Sequence, residues 1–248
     1  MSEPSQYDRI GELYEQVKDL PMGIAERATL LSALPDPRDR RVLDVGCGTG
    51  AYSRMFRRMG ARQVLGVDPA REMLAYAREA EEREPLGISY EAHDGTAMAK
   101  LGDFDLVAAI WPLGHLGDRE SYDRMVANLA ANLVPGGHLV AVVPNPETDW
   151  DRLADYPGYG LSVTKTEDTG ECQGCYVRVH GDPPFEFTGY IWPPGVFEES
   201  CAAAGLTGLR RHPVVIPESE LAERGPEFWA TLRANPMFAV FTARRAEG

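Results

Sequence analysis

Val42-Leu43-Asp44-Val45-Gly46-Cys47-Gly48-Thr49-Gly50 is the stretch from which the rest of this sequence is read. An apolar run passes directly into a turn with glycine at alternate positions. Glycine reaches backbone angles other residues avoid and lets a ligand approach the main chain closely. Glycine turns are common, so the acids around this one carry the argument. Asp68 ends the next apolar run, 24 residues after Asp44. An acid at the end of a second strand is placed to accept hydrogen bonds from ribose hydroxyls. Asp94, followed by Gly95, ends a third run and is placed to meet an adenine amino group. Asp44, two residues before the first glycine, suits a cationic group and is unhelpful beside a pyrophosphate.

Outward from this turn, short β-like runs alternate with helical segments. The runs are 41–45, 63–67, 88–93, 104–110 and 138–143. Helical patterns over 52–59, 69–83 and 121–133 separate them, and the last leads into the turn Pro135-Gly136-Gly137. This alternation predicts right-handed βαβ crossovers and a mainly parallel sheet. Residues 1–37 read as a weakly amphipathic helical preamble (Ile10, Leu13, Tyr14, Val17, Leu20) ending at Pro35 and Pro37. Residues 144–196, rich in Pro, Gly and aromatics, read as an insertion. A helix over 194–205 and two runs, 207–216 and 237–243, complete the domain assigned to residues 38–248.

The formal charge is −13, and basic residues cluster only in short groups such as Arg54/Arg57/Arg58 and Arg210/Arg211. Phosphate-backbone binding relies on clustered Lys and Arg, so a nucleic-acid partner is disfavoured. The polar opening MSEPSQYDRIGELYE lacks the pattern of a secretory signal. No apolar run reaches the roughly 18–20 residues that span a bilayer, so a cytoplasmic protein without membrane partners is expected. Cys172 and Cys175 have metal or redox spacing, but zinc needs four ligands and no second pair exists. A hairpin turn at Gln173-Gly174 is the expected reading, with no metal. Cys47 is expected to be a small filler.

Together the motifs resemble class I S-adenosylmethionine-dependent methyltransferases, whose pattern is LDVGCGTG, then GVD, an acid after the third strand, and LVPGG before the fifth. The resemblance covers roughly residues 40–145. It implies a Rossmann-like α/β fold: a mainly parallel seven-stranded sheet with a reversed C-terminal hairpin and helices on both faces. It also implies S-adenosylmethionine as cofactor and a small-molecule methyl acceptor. Position by position, Asp44, Gly46 and Gly48 would hold the methionine part and Asp68 the ribose. Met73 would pack on adenine, and Asp94 with Gly95 would meet its amino group. Ordinary core packing for Met73 and a helix N-cap for Asp94, before 96–101, are the competing structural readings. Gln6-Tyr7-Asp8-Arg9-Ile10-Gly11-Glu12-Leu13, Trp111, Asp182-Pro183-Pro184-Phe185-Glu186-Phe187 and Pro226-Glu227-Phe228-Trp229 are similar to the toxoflavin synthase-like branch. That branch implies N-methylation in secondary metabolism.

The acceptor side is expected beyond the fourth strand, at Trp111-Pro112-Leu113-Gly114-His115. A neutral amine needs no strong base, whereas a phenol or alcohol usually does. His115 is the candidate base for O-methylation, which stays open beside N-methylation. Tyr7 and Tyr14, two helical turns apart, share one face; they either pack on the core or line the acceptor pocket from a lid formed by residues 1–37. Trp150, Tyr156, Tyr159, Phe185, Phe187, Tyr190 and Trp192, all within 144–196, suit a pocket wall or a satellite core. Gly46-x-Gly48-x-x-Ala51 also fits a dinucleotide fingerprint, so an NAD(P)-dependent oxidoreductase remains an alternative, as does a non-catalytic cofactor-binding regulator. Homo-oligomerisation is left open.

Overall fold

A computed structural model describes residues 17–154 and 156–247. Strands β1 (Arg41–Val45), β2 (Gln63–Asp68), β3 (Ser89–Ala92), β4 (Phe104–Ile110) and β5 (Leu133–Pro144) are joined by β9 (Leu206–His212) and β10 (Phe238–Arg245). Their order across the sheet is β3-β2-β1-β4-β5-β10-β9. The β1–β2, β1–β4, β2–β3 and β4–β5 pairs are parallel, whereas β10 runs antiparallel to both β5 and β9. This is the expected seven-stranded Rossmann-like sheet with its reversed hairpin. Chain order turns back between β1 and β4, which opens a crevice at the carboxyl ends of those strands.

Strand residues point alternately to opposite faces. Val42, Leu106, Val140 and Val240 therefore join one core, together with Leu30 of α1 (Pro21–Ala33), Phe56 of α2 (Ala51–Arg58) and Leu74 of α3 (Arg71–Arg83). Leu43, Val107, Leu139 and Phe241 join the other, against Val126 and Leu129 of α4 (Arg119–Ala131) and Phe197 of α5 (Val196–Ala203). Each fully buried side chain of this size contributes roughly 1.5–3 kcal/mol. Two short helices, α6 (Glu218–Arg224) and α7 (Ala230–Ala234), lead into β10.

Helix α1 starts with Pro21 at its first turn and stops where Leu34, preceding Pro35, turns extended. It is core, not surface: Ala25 and Leu30 are wholly buried. The 3-10 turn Val17–Asp19 lies on it at Gly23, where an added Cβ would stand 2.1 Å from the Val17 carbonyl oxygen.

Residues 144–196 are more regular than the sequence suggests. They contain an antiparallel sheet of β6 (Leu161–Asp168), β7 (Gln173–Val179) and β8 (Phe185–Ile191). Gln173 and Gly174 lie inside β7, so the hairpin turn expected at them is instead the preceding segment 169–172. The sheet approaches the main domain closely at Gly189, where a Cβ would lie 3.1 Å from the Gly114 carbonyl oxygen. No helix follows Asp94. Its Oδ1 accepts from the Thr96 N–H and hydroxyl, both at 2.8 Å, in a local turn.

Candidate active site

A cavity of about 490 Å³ opens at the carboxyl ends of β1, β2 and β4. Gly46, Gly48, Asp68, Met73, Asp94, Gly95, Trp111 and His115 line it together, eight of the residues singled out from sequence. Ile110, Leu116 and Met125 complete its apolar side; these are ordinary core-type residues with no sequence signal of their own. Tyr7 and Tyr14 lie outside the described residues.

The glycine loop is fixed by β2. The Gly46 and Cys47 N–H groups donate to the Val67 carbonyl at 2.8 and 3.0 Å. Asp68 accepts from the Gly48 N–H at 2.9 Å and the Ala70 N–H at 2.8 Å, one on each oxygen. Asp68 thus shapes the loop while its carboxylate lines the cleft. Gly48 has φ +54°, and a Cβ there would meet nothing within 4 Å. The space a side chain would fill is the cleft itself. Gly95 has the opposite constraint, since its Cβ would press on Met125 at 2.7 Å. Met73 is 2% exposed and serves both readings, as core and as cleft wall.

Asp44 stands apart from the cavity lining. It is buried behind the loop, and its Oδ2 accepts from the Ser53 hydroxyl at 2.6 Å. Burial pushes its carboxyl up to about 6, with the Ser53 hydrogen bond opposing and the Asp68 charge adding. Cys47 is buried and its thiol is driven well above the usual range by desolvation, as a filler's would be. Among the described residues no His, Cys, Asp or Glu cluster could hold a metal, and no helix is long and apolar enough to cross a membrane.

A second, smaller cavity of about 80 Å³ lies behind the first. Its walls come from Val17, Lys18 and α1, from the β6–β7–β8 sheet, and from Pro144 and Met237. Trp111 and His115 border both cavities. Trp111 occupies the left-handed region at φ +74°, ψ −15°, which is uncommon for a bulky residue and costs on the order of 1–3 kcal/mol. The strained turn sends its indole N–H to Glu26 Oε2 at 2.6 Å. Burial lowers the His115 imidazole to about 4, against an opposing pull from its hydrogen bond to the Thr188 backbone. Its ring meets Phe187 edge-on, with centroids 6.2 Å apart.

Of the aromatics in the insertion, Phe187 and Tyr190 line this cavity. Tyr156 and Tyr159 pack with Phe228 and Trp229 and join the core that holds Leu30 and Val42, so they are not a satellite core. Trp192 packs on Tyr122 at 4.9 Å, and its indole donates to the Leu116 carbonyl at 2.8 Å. Glu26 is the residue sequence reasoning missed. Lone in a helix, it looks like a solvent-facing acid, yet it is 3% exposed.

Residues 42–137 match the family described as methyltransferase domain. An S-adenosylmethionine-dependent methyltransferase from Mesorhizobium loti superposes with a TM-score of 0.65 at 25% identity, over 91% of this chain and all of its own. Residues 42–137 form a methyltransferase domain. The CcbJ methyltransferase from Streptomyces caelestis shares the methyltransferase fold, with a TM-score of 0.65 at 19% identity over 99% of this chain and all of its own. A ubiquinone biosynthesis O-methyltransferase from Coxiella burnetii is 35% identical over 103 residues, 41% of this chain. The match spans only 42% of that relative's length. The open glycine loop, the Asp68 carboxylate and the apolar wall of the first cavity fit the polarity of S-adenosylmethionine.

Proposed function

We propose that this protein transfers the methyl group of S-adenosylmethionine to a nitrogen of a small molecule, a heterocycle or amine of secondary metabolism. The observation that carries the reading is the pair of cavities sharing Trp111 and His115. Bound in the larger cavity, the cofactor supplies an already activated methyl group. Gly46 and Gly48 take the methionine part, with Asp44 supporting its ammonium from behind the loop. Asp68 takes the ribose, and Met73, Asp94 and Gly95 take adenine. The acceptor occupies the smaller cavity and reaches the methyl past Trp111 and His115. The protein's part is alignment and exclusion of water.

Nitrogen is favoured because His115, held neutral with its proton affinity lowered to about 4, is a weak base at neutral pH. An amine lone pair needs none. O-methylation is the second reading, and the relative named as a ubiquinone biosynthesis O-methyltransferase favours it. Of residues 1–37, Pro21–Ala33 are core and not a lid; the lid in this proposal is the segment before them, with Tyr7 and Tyr14 at the acceptor. Val17 and Lys18 on the cavity wall fit that role. The 144–196 insertion forms the acceptor wall. The toxoflavin synthase-like branch, a cytoplasmic location and the absence of a nucleic-acid partner complete the proposal.

Titration calorimetry with S-adenosylmethionine and with NADH tests the cofactor. Incubating the protein with S-adenosylmethionine and matched amines and phenols, with mass spectrometry of the products, tests the transfer. Binding of NADH in place of S-adenosylmethionine would overturn the reading, and methylation of phenols alone would replace nitrogen with oxygen.

A further inference from the structure

Glu26 sits in the middle of α1, 3% exposed, on the wall of the smaller cavity. Enclosing a carboxylate beside apolar side chains is costly unless it is well bonded. Here the protein supplies three donors. The Trp111 indole N–H reaches Oε2 at 2.6 Å, the Tyr52 hydroxyl donates to Oε1, and the Lys18 ammonium lies 3.8 Å from Oε1. Two hydrogen bonds leave part of the carboxylate's four-site acceptor capacity for a further donor. Oε2 is the oxygen bonded to Trp111, which borders both cavities. That places Glu26 next to the path between acceptor and cofactor.

We propose that Glu26 is the acceptor-side counter-ion, a specificity-determining carboxylate that selects a small amine and stabilises the charge arriving on its nitrogen. The inference rests on the methyl-transfer reading above and names the acceptor class for it. The amine enters the step in its neutral form, its ammonium proton released to water beforehand; its lone pair then forms the N–C bond while the S–C bond breaks and that bond's electron pair stays on sulfur. Positive charge moves from sulfur to nitrogen, toward Glu26. The methylated ammonium then gives its proton to water. A fixed negative charge placed where positive charge develops lowers the barrier without reorganisation. For a phenol the same charge works the other way. Phenolate beside carboxylate is a like-charge pair, so ionisation is suppressed.

The test uses the full chain, with benzylamine and piperidine as amine probes and benzyl alcohol and phenol as hydroxyl probes. Binding is read by calorimetry on protein loaded with S-adenosylhomocysteine, and transfer by product mass. The amines should bind and be methylated by the wild type. Glu26→Gln should lower amine kcat/KM by about 10²–10³-fold with S-adenosylmethionine affinity unchanged, and Glu26→Asp should recover part of the loss. Unchanged cofactor affinity also shows that the variants are folded. Amine turnover in Glu26→Gln equal to wild type, preference of the wild type for phenol, or failure of both amines to bind the loaded protein would each overturn the proposal. Failure of S-adenosylmethionine itself to bind would instead overturn the methyl-transfer reading on which it rests.

Discussion

Trp111 and Glu26, 85 residues apart in sequence, are joined by an indole N–H to carboxylate hydrogen bond of 2.6 Å. The bond ties the turn after β4 to the buried helix α1, and so fixes the wall between the two cavities. Trp111→Phe keeps an aromatic ring in the wall but removes the donor, together with part of the indole's volume. It leaves a buried carboxylate oxygen short of one partner, which costs about 1–3 kcal/mol. Urea denaturation should show that loss, while titration calorimetry should show little change in S-adenosylmethionine affinity. An unchanged denaturation midpoint would mean that the bond contributes nothing net to the fold.

Gly48→Val should abolish cofactor binding and leave a folded protein. The new side chain would stand in the open space of the cleft, at φ +54°, where a branched residue also pays a backbone cost of roughly 1–2 kcal/mol. Circular dichroism with calorimetry separates the two effects. Normal S-adenosylmethionine affinity in this variant would place the cofactor elsewhere.

Asp44 makes a pH-dependent prediction. Its folded value of about 6 lies above the reference of 3.8. Its contribution to stability is therefore most favourable below about pH 4 and is lost as the pH rises through 6. Two units correspond to on the order of 3 kcal/mol. Asp44→Asn should accordingly gain stability over wild type at pH 8 and lose that advantage at pH 4.5, measured by urea denaturation at both. Its S-adenosylmethionine affinity should fall, because in the proposed site that charge supports the cofactor's ammonium from behind the loop. A stability difference independent of pH would show that Asp44 is not ionising inside the core.

The fold and the cofactor side were legible because their signals are local. Strands 41–45 and 104–110 are short apolar runs bounded by breakers, and the structure places them at those residues. Gly46, Gly48 and Asp68 announce themselves by residue type and spacing. The acceptor side was not legible in the same way. The exposed half of β6 reads as polar loop, since only its first residue is fully buried. Pro135, Gly136 and Gly137 read as a turn, but belong to the long strand β5, where the pairing with β4 shifts register. Glu26 owes its role to Tyr52, Trp111 and Lys18, and nothing in Pro21–Ala33 marks it. Such residues are defined by partners that only the folded chain brings together.

His115 decides between nitrogen and oxygen chemistry, and its own titration allows the question to be put twice. Burial holds its folded value at about 4, below the reference of 6.5. The native state thus binds fewer protons than the unfolded chain between those values. Its stabilising contribution is complete above pH 6.5 and is lost as the pH falls through 4, on the order of 3 kcal/mol in all. His115→Gln should therefore unfold less readily than wild type in acid, relative to their difference at pH 8. In turnover, a group this weakly basic has little to offer as a proton acceptor near neutrality. The wild-type kcat should show no inflection near pH 6.5, and His115→Gln should cost well under the about 10²–10⁴-fold that a general base contributes. A thousand-fold fall in kcat with S-adenosylmethionine affinity intact, joined to an inflection near 6.5, would show that His115 takes a proton in the reaction. The acceptor would then be a hydroxyl, and the second reading would replace the first.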